Sequence, residues 1–164
     1  MTIGRFRGGI AAVIRSQEGR YLLLRRSAAK DYAAGVWECV TGRVDQGEGF
    51  EDALHREVRE ELGVGVRIDL ILGTTHFYRG EARPENELIG VVCLCSLDDP
   101  MAVRLSAEHS EHRWVTAGEA LELLTAADAS TQWMRRVIER AEAVCCLAPP
   151  ALLGYYRERG VELG

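Results

Sequence analysis

Apolar residues in the first 41 positions come in short runs separated by turn-forming residues, a pattern typical of β-strands. The pattern predicts strands at 9–14, 21–25 and 36–41, a turn at 16–19 and a loop at 27–35. We expect the first two strands to pair as a hairpin. Arg25 and Arg26 would form the basic end of that hairpin.

The second half of the chain combines β-rich runs with helical patterns. It predicts one bent strand at 64–78, further strands at 88–97 and 113–115, and helices at 117–124 and 131–146. The connection at 79–87 is polar and is expected to be exposed. Two prolines at the start of 149–164 end the preceding helix, and the pattern leaves the packing of this tail unassigned. Strands mixed with helices favour an α/β fold with helices on both faces of a sheet.

A helical pattern between these halves places carboxylates among apolar residues. At roughly 100° per residue, one stripe contains Phe50, Ala53, Leu54 and Val58, and it also contains Glu57 and Glu61. The residues expected to point away are Glu51, Asp52, His55 and Arg59. An inward-facing carboxylate is costly unless a cation meets it, and a divalent ion such as Mg²⁺ would also relieve repulsion among neighbouring acids. The alternative is a surface helix whose acidic face pairs with Arg56 and Arg59.

The residues on either side complete this unit. A turn-rich loop at 42–47 leads into the helix, and Gly63 follows the last acidic residue, where helices commonly end in a left-handed turn. Glu48 precedes Arg56 by eight residues, so its side chain is placed to pair with Arg56 at the helix entrance.

The segment GRVDQGEGFEDALHREVREELGV, from Gly42 to Val64, resembles the signature sequence of the Nudix hydrolases. All nine specified positions agree: Gly42, Glu48, Arg56, Glu57, Val58, Glu60, Glu61, Gly63 and Val64. The resemblance implies an α/β/α sandwich with a mixed β-sheet and hydrolysis of a nucleoside diphosphate linked to another group. We therefore expect a Nudix hydrolase domain at 1–148 and a C-terminal tail at 149–164.

The resemblance also implies a metal-dependent mechanism. Mg²⁺, with Mn²⁺ as a substitute, would be held by Glu57, Glu60, Glu61 and the Gly42 carbonyl, where it would neutralise phosphate oxygens and acidify bound water. One carboxylate would accept the proton of that water, and Glu57, Glu61 and Glu108 stay open as this base. Glu48 and Arg56 are interpreted as structural support for the loop.

Glu108 lies six residues before Trp114, the spacing at which many Nudix enzymes carry a further catalytic glutamate. Glu111 is the alternative. His109 and His112 share this segment and titrate near neutral pH, but histidines in an exposed loop more often have no catalytic part.

Several side chains are candidates for contact with the substrate. Arg25 and Arg26 are expected to bind phosphates. Phe77 and Tyr78 offer flat faces on which a base can stack, and Tyr78 is the candidate we retain. Trp37 is interpreted as a core residue.

Composition and charge limit the classes of binding partner and the compartment that we expect for this protein. A net charge of −5 argues against binding to duplex nucleic acid, and no stretch approaches the roughly 20 apolar residues of a membrane span or resembles a signal peptide. Five cysteines without a C-x-x-C pair favour a reducing cytoplasm, and Cys93 and Cys95 are predicted to be buried thiols. Similar proteins are frequently dimers, so a homodimer stays open.

The expected substrate is a nucleotide, in the first place a nucleoside triphosphate or a related nucleoside diphosphate derivative. Dinucleoside polyphosphates and nucleotide sugars are alternatives within the same chemistry. A catalytically silent nucleotide-sensing module is an alternative from another class, although every acid of the signature is present. An isoprenoid diphosphate isomerase would need a catalytic cysteine in the pocket, and Cys39 is the candidate for it.

Overall fold

The structure is a computed structural model, and it describes residues 5–28 and 34–164. The strands are β1 (Arg7–Ile14), β2 (Tyr21–Arg26), β3 (Trp37–Glu38), β4 (Val40–Arg43), β5 (Val66–Tyr78), β6 (Glu87–Leu97) and β7 (His109–Val115). The helices are α1 (Phe50–Leu62), α2 (Ala117–Leu123), α3 (Ala129–Leu147) and α4 (Pro150–Arg159). Residues 29–33 of the loop predicted at 27–35 lie outside the described residues. Within the described ranges, every helix is too short or too polar to span a bilayer.

Two sheets organise the chain. The larger sheet has the strand order β4-β1-β6-β5 and is mixed, because β1 runs parallel to β6 and antiparallel to β4. The smaller sheet is antiparallel, with the order β3-β2-β7. One hydrophobic core contains α1 side chains and the other contains α3 side chains. Ile10 belongs to the first core and Ala11 to the second, so the helices cover opposite faces of the larger sheet. This is the predicted α/β/α sandwich.

The hairpin predicted for the first two strands is wrong. Only an isolated bridge between Arg15 and Tyr21 links them, and they belong to different sheets. From residue 9 onward β1 is buried on both faces, as is typical of a central strand, and it takes β4 and β6 as its neighbours. β2 pairs instead with β3 and β7.

The single strand predicted at 36–41 is divided at Cys39. Its first part, β3, joins the smaller sheet, and its second part, β4, joins the larger one. This short crossing places Glu38 in the smaller sheet and Gly42, where the signature begins, in the larger one.

Predictions for the second half agree better with the structure. β5 is one strand with register shifts after Ile68 and Ile71, which is the expected bend. The connection at 79–86 is largely exposed, and Cys93 and Cys95 are buried free thiols. β7 begins at residue 109 rather than 113, so the histidine-bearing segment is largely strand and not loop.

The tail has a defined packing. α4 lies along β5, with Leu153 and Tyr156 against the α3-side core. Arg157 Nε donates to Oδ1 of the buried Asp69 at 2.5 Å. The chain then crosses to the opposite face, where Val161 packs against the α1-side core.

Candidate metal and phosphate site

Helix α1 presents the predicted inward face. Its buried residues are Ala53, Leu54, Val58, Glu61 and Leu62, and its end at Gly63 has the predicted left-handed geometry, with φ of 70°. His55 and Arg59 are exposed, as expected. Glu51 differs from its predicted outward position, because the end of the chain half-covers its carboxylate.

Gly42 on β4 lies directly against Glu57 on α1. A Cβ atom at residue 42 would come within 2.1 Å of Glu57 Cγ and Cδ. The glycine is therefore required by the close approach of strand and helix, and this approach places the Glu57 carboxylate beside the β4 backbone.

Arg56 forms the centre of a salt-bridge cluster, defined here as Arg56, Glu48 and Glu57. Its Nε and Nη2 donate to the two Glu48 oxygens at 2.8 and 2.9 Å, and Nη2 also donates to the Arg43 carbonyl at 2.8 Å. Its Nη1 donates to Glu57 Oε1 at 2.8 Å. These bonds tie the signature loop to α1, and they include the predicted pairing of Glu48 with Arg56.

The pKa of Glu48 reflects this pairing. Hydrogen bonds from Arg56, followed by the Asp45 backbone N–H, lower the pKa of Glu48 from its ordinary 4.5 to about 2. Glu48 is therefore ionised throughout the neutral range, and its negative charge is paired with Arg56.

Glu61 has the opposite environment. Its side chain is 8% exposed, and its Oε2 atom is buried without a hydrogen-bond partner among the described residues. Burial, followed by the carboxylates of Glu38, Glu57 and Glu108, raises the pKa of Glu61 from 4.5 to about 9, whereas Arg26 acts in the other direction.

Two residues that the sequence did not single out as site residues border Glu61. His109 Nε2 lies 3.0 Å from Glu38 Oε1, and His109 Nδ1 lies 3.7 Å from Glu61 Oε2. Arg26 Nη1 donates to the same Glu38 oxygen at 3.1 Å. We call Glu38, Glu61 and His109 the acid pocket. Glu38 was missed because it precedes the signature and is brought to the site by the crossing at Cys39.

The expectation that His109 lies in an exposed loop is wrong. Its side chain is 2% exposed, because pairing between His109 and Arg26 includes the residue in β7 and directs its ring inward. His112 is exposed. A register shift in β7 separates the two histidines, since His112 lies opposite Leu24 and His109 lies opposite Arg26, and a loop assignment could not reveal their different burial.

The remaining predicted acids lie at different distances from this pocket. The Glu60 side chain is 60% exposed, with Oε2 at 3.5 Å from Arg56 Nη1. Glu108 is half-buried and close enough to Glu61 to raise its pKa. Glu111 forms ion pairs with Arg25 at 3.6 Å and Arg113 at 2.6 Å.

The structure separates Arg25 and Tyr78 from this region. Arg25 lies opposite Trp37, and Leu24 lies opposite Glu38, so Arg25 and Glu38 occupy opposite faces of the smaller sheet. Tyr78 is 38% exposed at the end of β5, the strand at the far edge of the larger sheet from β4. Arg26 faces the acid pocket, and the substrate roles of all three residues stay predictions.

The donor set has the chemistry of a hard-cation site. Several carboxylates surround Glu61, one buried oxygen lacks a partner, and the β4 backbone approaches Glu57 closely. Among the described residues, however, no three Asp, Glu, His or Cys side chains already form a group that could hold a metal ion. A cation would therefore have to draw these carboxylates together by side-chain rotation.

Comparisons with known proteins agree with this architecture. Residues 5–140 match the family model described as the NUDIX domain. The chain is similar to the CTP pyrophosphohydrolase of Escherichia coli K12, with 44% identity over 59 residues that cover 36% of this chain and 43% of that protein. It is also similar to an isopentenyl-diphosphate Δ-isomerase from Mycolicibacterium vanbaalenii, with 38% identity over 102 residues that cover 59% of this chain and 55% of that protein.

The fold is similar to that of the MutT protein from Methanosarcina mazei Go1, with a TM-score of 0.67 and 27% identity. That comparison covers 87% of this chain and 99% of the other. The chain spans between 34% and 55% of the length of the curated relatives that it matches first.

Proposed function

The chain belongs to the NUDIX domain family, and on that premise we propose that it is a metal-dependent pyrophosphohydrolase of nucleotides. The proposed reaction cleaves the diphosphate linkage of a nucleoside triphosphate, or of a related nucleoside diphosphate derivative, by attack of water on phosphorus. Members of the family generally use divalent metal ions.

The observation that carries this proposal is the environment of Glu61. A carboxylate with a buried oxygen that lacks a partner, beside three further carboxylates, is costly in the folded chain on its own. Folds retain such an arrangement where a ligand completes it, and a hard divalent cation matches both the charge and the oxygen donors.

We assign Gly42, through its carbonyl, and Glu57, Glu60 and Glu61 as the residues that hold Mg²⁺ or Mn²⁺. The ion would supply charge neutralisation at the phosphate oxygens and acidification of water. Arg56 and Glu48 fix the loop and orient Glu57. Glu57, Glu61 and Glu108 stay the candidates for the base that accepts the proton of the attacking water, and Arg26 is the phosphate contact favoured by its position beside the pocket.

A substrate panel tests the proposal. The full chain is incubated with Mg²⁺ or Mn²⁺ and with the four ribonucleoside and four deoxyribonucleoside triphosphates, dinucleoside polyphosphates and nucleotide sugars. Pyrophosphate liberated from the triphosphates is converted to phosphate by added pyrophosphatase and measured, the nucleotide products of the other substrates are separated by chromatography, and Glu61→Gln is assayed in parallel. Turnover that requires the cation supports the hydrolase, and the substrate with the highest kcat/KM defines its class. No turnover of any nucleotide, together with nucleotide binding, would favour the sensing module.

The isomerase relative makes isopentenyl diphosphate isomerisation a second candidate. Cys39, the thiol considered for that chemistry, is 1% exposed and lies in the α3-side core, and burial raises its pKa well above the ordinary value for a thiol. A buried neutral thiol is poorly placed for proton transfer to a substrate. Adding isopentenyl diphosphate to the panel and following the dimethylallyl isomer separates the two activities.

A further inference from the structure

The N-terminus of α1 lacks a cap from its own sequence. Gly49 is the residue before the helix, and it has no side chain with which to accept the first backbone N–H groups. Loss of such a cap frays the first turn of a helix. In this protein that turn lies directly after the signature loop and one turn before Glu57.

The far end of the chain supplies the missing acceptors. Glu162 Oε1 accepts the Phe50 backbone N–H at 2.9 Å, and Glu162 Oε2 accepts the Glu51 backbone N–H at 3.1 Å. A negative carboxylate at this position also complements the positive end of the helix dipole. A Cβ atom at Gly49 would lie 2.4 Å from Glu162 Oε2, so the glycine makes the approach of Glu162 sterically easy.

The contact is reciprocal. Glu51 Oε1 accepts the backbone N–H groups of Val161 and Glu162, the second at 2.7 Å. Gly160 directly precedes them with φ of 74°, a left-handed conformation that L-residues rarely adopt. Val161 packs against the α1-side core, and Arg157 is bonded to the buried Asp69. The chain that leads to the capping residue is thus held at two points, Arg157 and Val161.

We propose that residues 160–162 form a C-terminal clamp that positions α1, with Glu162 as a positioning residue for the metal site. The match to the family model ends at residue 140, so the clamp is supplied from outside the matched region. The existence of the clamp follows from these contacts alone, whereas its effect on the metal site rests on the proposed function.

The clamp predicts unusual behaviour of two amides. The first backbone N–H groups of a helix normally exchange quickly with water, because they lack partners. Here the Phe50 and Glu51 amides should be protected in the metal-free full chain. Replacing Glu162 by Ala should speed their hydrogen exchange, measured residue by residue by NMR, about 3- to 30-fold, the range that corresponds to losing a helix cap. Glu162→Gln keeps one acceptor oxygen and should lie between the two.

The Glu51 carboxylate accepts the Val161 and Glu162 amides, so a second measurement is possible. Glu51→Ala should speed the hydrogen exchange of these two amides in the same way. Glu158→Ala is the matched control, because Glu158 is exposed on α4 and its side chain makes no hydrogen bond or ion pair with the described residues. Unchanged exchange at Phe50 and Glu51 in Glu162→Ala, or equal acceleration in the control, would overturn the clamp.

Metal affinity tests the positioning role. We expect Glu162→Ala to raise the Mn²⁺ dissociation constant, measured by calorimetry without substrate, about 3- to 10-fold, with the control unchanged. Faster exchange without any change in Mn²⁺ affinity would overturn the positioning role. If the wild-type chain bound no Mn²⁺ and hydrolysed no nucleotide, the proposed function would fail, whereas the exchange measurements would still decide whether the clamp exists.

Discussion

Glu48 and Glu61 belong to the same short segment, yet the folded protein moves their pKa values in opposite directions. Arg56 meets Glu48 with two hydrogen bonds and lowers its pKa to about 2. Glu61 is buried beside Glu38, Glu57 and Glu108, and its pKa rises to about 9. The charge of Glu48 is paired with Arg56 within the chain, whereas the carboxylates around Glu61 need an external cation. Glu48 holds the loop in place, and Glu61, together with Glu57, lies where we expect the chemistry.

The same substitution in the two regions should therefore have different consequences. Glu61→Gln and Glu57→Gln should each reduce kcat by about 10²- to 10⁴-fold, because a metal ligand or base is lost, and Glu61→Gln should leave the thermal midpoint unchanged or higher. Glu48→Gln should lower the thermal midpoint more than the Glu61 variant does. Pyrophosphate release and calorimetric melting measure the two effects. Near-normal activity of either of the first two variants would remove that acid from the mechanism.

The opposite pKa shifts predict opposite dependences of stability on pH in the metal-free protein. The pKa of Glu61 is higher in the folded than in the unfolded chain. The contribution of Glu61 to the free energy of unfolding is therefore complete below about pH 4.5 and is lost as the pH rises towards about 9. The pKa of Glu48 is lower in the folded chain, so its contribution is present above about pH 4.5 and is lost as the pH falls through about 2.

Urea unfolding in EDTA at about pH 5, 7 and 9 measures the Glu61 part. Stability should fall across this range by an amount on the order of a few kcal/mol, and the fall should be much smaller in Glu61→Gln. Saturating Mg²⁺ should stabilise the wild type more at high pH, because ligation needs the ionised carboxylate. Equal slopes for wild type and variant would show that Glu61 is not the titrating group.

Arg56→Ala tests the salt-bridge cluster. The substitution leaves Glu48 without its partner and frees the Arg43 carbonyl, so we expect a loss of about 1–3 kcal/mol in the free energy of unfolding and a lower kcat. Arg56→Lys should recover part of the stability but not both bonds to Glu48. Arg59→Ala is the control, since Arg59 is exposed on the same helix. Unchanged melting and activity of Arg56→Ala would indicate a solvated arginine.

The smallest expected effect compares the neighbouring arginines of β2. Arg26 pairs with Glu38 beside the acid pocket, and Arg25 lies on the opposite face of the smaller sheet. Arg26→Gln should raise KM or lower kcat by several-fold, whereas Arg25→Gln should change either by less than about threefold. Steady-state kinetics with the best nucleotide of the panel gives both values. An equal or larger effect of Arg25→Gln would show that the substrate reaches the other face.

Much of the candidate site could be predicted from local spacing. The inward stripe of α1, its end at Gly63 and the pairing of Glu48 with Arg56 each follow from the periodicity or short-range chemistry of one segment. The need for glycine at 42 could be predicted from the signature but not explained by it, because the clash is with a side chain on another element.

Contacts between distant segments could not be predicted in this way. The apolar runs of β1 and β2 look alike in sequence, and only the choice of neighbours assigns them to different sheets. Glu38, His109 and Glu162 carry no local signal, since each acquires its role by meeting a segment 71–112 residues away. For Glu38, the crossing between sheets at Cys39 places it there.

The sequence by itself determined the family, the signature helix and its set of carboxylates, because these depend on periodicity and spacing within one short stretch. The tertiary structure decided that Glu61 keeps a buried oxygen without a hydrogen-bond partner among the described residues, which arginine faces the acid pocket and which residue caps the helix. Those properties depend on burial and on distances between remote segments, and the free energy of a charge is set by these surroundings more than by its position in the chain.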